Sequence, residues 1–157
     1  MNAHDVLQYG HKTVLATLDG IPLSHVITPG VCGRWSVKDI VAHLASFELV
    51  LVDVLNSLQG GPTLTLDGYR ERSRNFNDTQ VALRDSVPYP AVVSEYTAAH
   101  ERVMSLISGQ SAEILARVNT IPWYGPEYSI DDFIVYTNYA HKREHCAQIK
   151  LFKKTLG

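Results

Sequence analysis

The sequence is poor in cysteine and nearly neutral. Its 157 residues include two cysteines, and 14 Lys and Arg side chains stand against 16 Asp and Glu side chains. A chain without a cationic excess lacks the electrostatic footprint of a nucleic-acid-binding protein, so we expect no nucleic acid partner. Cys32 and Cys146 form neither a C-x-x-C motif nor a paired spacing. We therefore expect free thiols in a reducing compartment.

Long apolar runs and alternating strand patterns are also missing. No run of about 18 apolar residues indicates a membrane span, and the N-terminus lacks the basic and apolar regions of a secretory signal. The best strand-like pattern, residues 62–66, lies in a predicted loop. These absences favour a helical, cytoplasmic protein with no membrane partner. With 45% hydrophobic residues, the chain is expected to form one domain over residues 1–157.

Apolar residues recur every three or four positions in four long segments, which is the period of a buried helical face. Ser36 with Asp39, and Ser129 with Asp132, have the spacing of capping boxes and predict two of the helix starts. The four predicted helices span residues 5–18, 37–58, 88–108 and 130–152.

A polar connection, residues 66–86, separates the second and third of these helices. Bare loops of this length are uncommon in compact domains, so we expect a crossover that contains a helical piece of its own. The whole pattern predicts an all-α fold, a four-helix bundle with a long crossover between helices 2 and 3. Metal sites in such bundles are built from side chains on facing helices.

Two histidines near the C-terminus are spaced one helical turn apart. His141 and His145 differ by four residues, so both imidazoles leave the same face of a helix. Buried imidazoles without a partner carry a desolvation cost, so a metal or an acid is expected nearby. The same face carries further residues that indicate an inward orientation, namely Ile134, Asn138, Ile149 and Phe152.

A metal site needs at least a third ligand, and few residues follow His145. The best upstream candidate is His43, which shares a helical stripe with Ile40 and Phe47 and is therefore predicted to face inward. Alone, His43 is better explained as a core histidine bonded to a backbone carbonyl. Together with the pair His141 and His145, it predicts a three-histidine site for a divalent transition metal. Three imidazoles leave a tetrahedral ion with one open position, as in catalytic zinc sites.

Two acidic residues near these histidines have plainer interpretations. Glu48 lies five residues after His43 and off its face, so we predict a solvated or capping residue, with support of an imidazole as the alternative. Glu144 belongs to an H-x-x-E-H string that also occurs in inverted zinc proteases. Because too little chain follows for the rest of such a protease site, we predict that Glu144 is a solvated helix charge.

Three other residues, two histidines and a tryptophan, have side chains suited to a site of this kind. His100 shares a face with apolar residues of the third predicted helix and is predicted to be a core residue. Trp123 lies in a Pro- and Gly-bounded aromatic loop, where it either lines a pocket mouth or packs over the end of the bundle. His11 belongs to no constellation and is predicted to lie at the surface.

At these residues the sequence resembles the DinB/YfiT-like superfamily, with a nearer similarity to its DinB-like and ClbS/DfsB-like branches. The resemblance is carried by W-S-V-K-D-I-V-A-H-L at 35–44, with Glu48, and by Y-x-H-x-x-x-H-x-x-Q-I at 139–149. It extends through Asn75 and the V-x-x-Y-x-x-x-H pattern at 93–100. The resemblance implies a four-helix bundle with a long crossover and a tendency to form homodimers.

The same resemblance implies that His43, His141 and His145 bind a divalent metal, commonly zinc or nickel. Members include thiol-dependent S-transferases, a thiol-dependent isomerase domain and self-protection proteins that hydrolyse an electrophilic natural product. We therefore expect a metal-dependent hydrolase or thiol S-transferase that acts on small electrophilic molecules in stress defence or detoxification. A low-molecular-weight thiol would be the co-substrate of the transferase. The alternative is a non-catalytic bundle that binds a metal or a small ligand.

Overall fold

The computed structural model describes residues 2–71 and 74–157; Met1, Arg72 and Ser73, the last two in the predicted crossover, lie outside the described residues. The described chain is helical and contains no β-strand, apart from an isolated bridge between Cys32 and Trp35. The all-α prediction is therefore confirmed. The helices are α1 (Ala3–Leu18), α2 (Val37–Ser57), α3 (Leu64–Arg70), α4 (Phe76–Ala82), α5 (Tyr89–Ser108), α6 (Ala112–Ala116), α7 (Ile130–Phe133) and α8 (Ala140–Thr155), with a π-helical segment (Ile134–Tyr139) joining α7 to α8.

Capping boxes start α2, which carries His43, and α7, which leads through the π-helical segment into α8 with the other two candidate metal ligands. The Ser36 hydroxyl accepts a hydrogen bond from the Asp39 backbone N–H, and the Asp39 carboxylate accepts one from the backbone N–H of Ser36. Ser129 and Asp132 make the same pair of bonds at the start of α7. Each box satisfies backbone donors that have no partner within the helix, so both starts are determined locally.

Four long helical units form the bundle: α1, α2, α5 and the continuous run from α7 through α8. Between α2 and α5, the predicted helical piece consists of two short helices, α3 and α4, which both pack against α2. The α2 helix is long and apolar enough to cross a membrane, but 78% of its most apolar stretch is buried inside the protein. We interpret α2 as the central helix of the bundle.

Two apolar clusters occupy the bundle interior, one on either side of a set of buried polar side chains. On α5, for example, His100 falls between Tyr96 of the second cluster and Val103 of the first. On α2, Glu48 follows residues of the second cluster and precedes residues of the first. We call this set the polar layer; its members are His43, Ser46, Glu48, His100, Asn138, Lys142 and His145.

Candidate metal centre

Three imidazoles converge at the polar layer: those of its members His43 and His145, and that of His141 beside it. The Nε2 atom of His141 lies 2.8 Å from Nε2 of His43 and 3.0 Å from Nε2 of His145. His43 comes from α2, whereas His141 and His145 lie one turn apart on α8. His43 is 2% exposed and His145 is 5% exposed, while His141 is half-buried. The structure therefore brings together the three histidines that the sequence singles out.

The surroundings keep these imidazoles neutral at pH 7. Burial lowers the pKa of His43 to about 2, and the charges that His141 and His145 can carry act in the same direction. Burial and the neighbouring His145 and Lys142 lower the pKa of His141 to about 4. The pKa of His145 is also lowered, mainly by burial. Neutral imidazole is the form that binds metal ions.

Hydrogen bonding indicates which nitrogen of each ring is available. The Nδ1–H of His145 donates to the Gln148 side-chain oxygen at 2.8 Å, which leaves a lone pair on Nε2. A proton on Nε2 of His141 can satisfy only one of its two Nε2 neighbours. One pair of nitrogens is then left with facing lone pairs, unless a cation lies between them. The donor set and its geometry thus fit a divalent transition metal.

The three histidines form a group to which the described residues add no fourth His, Cys, Asp or Glu ligand. Structural zinc sites are usually closed by four protein ligands, whereas catalytic sites keep one position for water or substrate. A metal held here would therefore retain an open position. This donor count favours a site that can react with a small molecule.

Aromatic rings enclose the imidazoles on two sides. The Trp35 ring lies 4.8 Å from that of His43 and 6.5 Å from that of His145. Phe47 lies 4.8 Å from His43 and 4.5 Å from His141, measured between ring centroids. These rings exclude water and lower the local dielectric constant, which strengthens electrostatic interactions within the site.

A cavity of about 450 Å³ opens beyond Phe47. Tyr69 contacts the Phe47 ring at a centroid distance of 5.6 Å, and the guanidinium carbon of Arg70 lies 5.4 Å from the centre of the Trp123 ring. The volume is within the range of small-molecule pockets. The cavity is lined by Tyr69, Arg70, Trp123 and Tyr124. The Trp123 ring also packs against that of Phe133 at 5.8 Å, so Trp123 meets both interpretations, and its role as a pocket residue stays a prediction.

The interpretation of Glu48 as a solvated residue is wrong, because its side chain is fully buried. It forms an ion pair with Lys142 and accepts a hydrogen bond from the Asn138 amide at 2.9 Å. Burial alone raises the pKa of the Glu48 carboxyl. The Lys142 charge and the polar groups of His100 and Asn138 outweigh burial and lower that pKa to about 2. Glu48 is therefore ionised at neutral pH.

Sequence reasoning missed Lys142 because lysine is almost never fully buried unless it is paired. A helical signal was nevertheless present. Lys142, Cys146 and Ile149 recur at steps of four and three residues, which is the period of an inward face. All three are buried, so α8 presents one stripe with the metal ligands and a second stripe with Lys142.

The structure agrees with the predictions for His100 and Glu144 and differs from the one for His11. His100 is buried, as expected for a core residue, and Glu144 is exposed, as expected for a solvated charge. Glu144 raises the pKa of His145, in opposition to burial. The surface interpretation of His11 is wrong. Its ring is half-buried and stacks on His100 at 3.8 Å, and its Nδ1 lies 3.2 Å from the Tyr96 hydroxyl.

A helical bundle whose facing helices gather three imidazoles fits the class of bundles with a metal-binding interior. A sequence profile of the DinB superfamily matches residues 7–149. The chain therefore belongs to the DinB superfamily, as the sequence motifs indicate.

Comparison with solved structures supports the same fold. The chain is similar to the crystal structure of an uncharacterised protein from Escherichia coli UTI89, with a TM-score of 0.75 and 16% sequence identity. The alignment covers 96% of this chain and 90% of that chain. At this identity, the likeness supports the fold alone. A search of curated protein sequences found no significant match.

Proposed function

We propose that this protein is a metal-dependent enzyme that acts on small electrophilic molecules, with His43, His141 and His145 holding a zinc or nickel ion. The observation that carries the proposal is the convergence of three neutral Nε2 atoms, without a fourth side-chain ligand among the described residues, close to an aromatic cavity. Membership of the DinB superfamily supports it.

The residues around the imidazoles prepare them for this role. Gln148 holds the Nδ1 proton of His145 and so keeps its Nε2 lone pair directed at the other two rings. Trp35 and Phe47 exclude water from the imidazoles. When bound, a divalent ion supplies a Lewis acid that lowers the pKa of a water molecule or a small thiol.

Two reactions suit this arrangement, namely hydrolysis of an electrophile and transfer of a low-molecular-weight thiol to it. Neither requires a nucleophilic side chain from the protein. Glu48 is engaged with Lys142, and Glu144 is exposed, so neither carboxylate is assigned as a general base. The cavity beyond Phe47 is the proposed substrate pocket, in which aromatic rings and the Arg70 guanidinium favour planar or anionic groups.

A second candidate function is a non-catalytic module that binds a metal or a small ligand. It is favoured by the position of Phe47, whose ring contacts His43 and His141 on one side and Tyr69 of the cavity on the other. If Phe47 keeps the cavity apart from the imidazoles, a ligand in the cavity does not reach the ion. Turnover by the metal-loaded protein would exclude this candidate.

Elemental analysis of the purified protein is the first test, alongside the triple variant His43→Ala, His141→Ala and His145→Ala. We expect about one equivalent of zinc or nickel in the wild type and none in the variant. This result would justify screening the metal-loaded protein with electrophiles, with and without small thiols. If neither protein binds metal after reconstitution, the result would favour the non-catalytic binding module over the metal-dependent enzyme.

We also propose that the protein works in the cytoplasm and forms a homodimer. The proposal is motivated by the balanced charge and the two free cysteines, and by the homodimers of the family that the sequence resembles. Sedimentation velocity at micromolar concentration tests the assembly. A species of 17.5 kDa, the mass of one chain, would contradict the proposed homodimer.

A further inference from the structure

The α2 and α8 helices are joined by a second contact besides the imidazoles. Glu48 follows His43 on α2, and Lys142 directly follows His141 on α8. Successive residues diverge by about 100° around a helix, so Lys142 leaves α8 on a different side from His141. The carboxylate of Glu48 is 0% exposed and the side chain of Lys142 is 2% exposed. The two helices are therefore connected by a histidine contact and, separately, by a buried ion pair.

Several elements converge on the Glu48 carboxylate. Asn138, from the π-helical segment, donates to its Oε1 atom at 2.9 Å. Nδ1 of His100, from α5, lies 3.8 Å from its Oε2 atom, which is beyond hydrogen-bond distance. The ammonium of Lys142 also lies 5.6 Å from the centre of the Tyr96 ring. Glu48 thus connects α2 to α5, to the π-helical segment and to α8.

This contact is directional, whereas the apolar clusters on either side are not. Apolar burial is roughly proportional to area, so a small slide of one helix over another changes it little. A buried charge without a partner is strongly unfavourable. If the register of α8 against α2 changes by one residue, the direction of the Lys142 side chain changes by about 100° around the helix axis. If the register changes by one helical turn, Lys142 moves by about 5.4 Å along that axis. Either change separates Lys142 from Glu48, the carboxylate with which it pairs among the described residues.

We infer that the Glu48–Lys142 ion pair is a positioning device that holds α8 against α2 in the register at which the three imidazoles converge. The inference rests on the proposed metal site. His141 and Lys142 are adjacent in sequence, so any movement of Lys142 relative to α2 also moves His141 relative to His43. Buried polar residues that specify helix register are established in coiled coils. Here the ion pair acts on the position of the histidines through the helix, in addition to the effect of the Lys142 charge on the pKa of His141.

The test replaces the pair by neutral side chains of similar size, with Glu48→Gln and Lys142→Met in one protein. The matched control is Arg84→Met with Glu95→Gln. Arg84 is 7% exposed and its guanidinium bonds the Glu95 carboxylate at 2.6 and 2.9 Å. This control pair joins the turn after α4 to α5, and the other hydrogen bonds of Arg84 go to Gln80 of α4. Each double variant loses one ion pair. Only the Glu48/Lys142 variant loses a pair that joins α2 to α8, so the Arg84/Glu95 control leaves the α2–α8 register unchanged.

Zinc affinity, measured by competition with a chelator, is the first readout. We expect the Glu48/Lys142 variant to bind zinc about 10–100-fold more weakly than the wild type. Its cobalt-substituted form should show altered visible absorption, because the ligand geometry changes. The Arg84/Glu95 control should match the wild type in both measurements. Wild-type affinity and an unchanged cobalt spectrum in the Glu48/Lys142 variant would overturn the inference and leave the ion pair with a role in stability alone.

A metal-free readout separates this inference from the proposed function. The His43 and His141 rings are close enough for a nuclear Overhauser effect between their ring protons in the apoprotein. We expect this effect in the wild type and the control, and its loss in the Glu48/Lys142 variant. If the wild type binds no metal, the proposed function fails, but loss of the effect in the variant still supports positioning. Its persistence in the variant would overturn positioning.

Folding of the variant is checked by circular dichroism before either readout. If the double variant does not fold, Glu48→Gln with Lys142→Leu takes its place, because it also leaves no buried charge without a partner. Glutamine keeps the size of Glu48 and can still accept the Asn138 hydrogen bond, while leucine fills the lysine site with a branched apolar side chain. The same losses of zinc affinity and of the His43–His141 effect are expected, and wild-type values would overturn the inference in this variant too.

Discussion

The polar layer and the two apolar clusters that flank it stabilise different properties of the same bundle. The clusters bury many apolar side chains, and because the free energy of apolar burial scales with area and has no direction, they drive the helices together. The polar layer contains charged and imidazole groups whose favourable arrangement is unique, since buried polar groups require partners. Association of the helices and their register against one another therefore depend on different residues of the same helices. Substitutions in the two regions should therefore separate stability from metal binding.

The largest effect is expected from His141→Ala. The Nε2 atom of His141 lies between those of His43 and His145, so its removal leaves two ligands that no longer share a neighbour. We expect loss of stoichiometric metal with helicity retained, measured by elemental analysis and circular dichroism. A full equivalent of metal in this variant would remove His141 from the site. His25→Ala, outside the histidine cluster, is the control and should keep its metal.

The complementary substitution is Leu51→Ala in the first apolar cluster. Leu51 is fully buried, and large-to-small changes of this kind cost about 2–5 kcal/mol. We expect the free energy of unfolding of the apoprotein to fall by this amount in urea denaturation. The folded variant should keep the wild-type metal stoichiometry. Loss of metal at a temperature where the variant is fully folded would contradict the separation between the two regions.

The third prediction concerns pH, measured on the chelator-treated apoprotein. The folded pKa of His43, about 2, and that of His141, about 4, lie below the unfolded value of 6.5, so the unfolded state binds more protons between these values. Stability should therefore fall as pH decreases below about 6.5. The carboxyl of Glu48, whose pKa is lowered from 4.5 to about 2, adds a further loss below pH 4.5.

A variant that lacks one of these titrating side chains tests the predicted pH dependence of the unfolding free energy. In His43→Gln, the decline in unfolding free energy should be shallower by about 1.4 kcal/mol per pH unit between pH 6 and 3. The slope is obtained from urea denaturation at a series of pH values. An identical slope in the variant and the wild type would show that His43 is not buried in its neutral form.

The smallest effect is expected in the cavity. Trp123→Ala removes the ring that faces Arg70 and should weaken binding of an aromatic anion by about 0.5–1.5 kcal/mol, with the zinc affinity unchanged. Fluorescence titration with an anilinonaphthalene sulfonate measures this change. Tyr136→Ala is the control, because Tyr136 is 57% exposed and does not line the cavity. Equal binding of the probe by both variants would contradict the proposal that this cavity is the substrate pocket.

The metal ligands were accessible to sequence reasoning because their signal is local. His141 and His145 share a face by their spacing alone, and His43 lies on the apolar stripe of a helix whose start is marked by Ser36 and Asp39. Glu48 was misassigned for the opposite reason. Its burial depends on Lys142, which is 94 positions away in the sequence and has no local pattern in common with it. His11 was misassigned likewise, since its partner His100 lies on another helix.

Local sequence patterns predict the helical segments, their capped starts and the inward orientation of the three histidines. Periodicity and capping depend on residues within a few positions of one another, so each helix specifies them alone. Tertiary packing sets the Glu48–Lys142 ion pair, the cavity that Arg70 and Trp123 help to line, and the distances among the imidazoles. These features depend on how far each helix is rotated and shifted against its neighbours. That arrangement is a property of the assembled core and of no single helix.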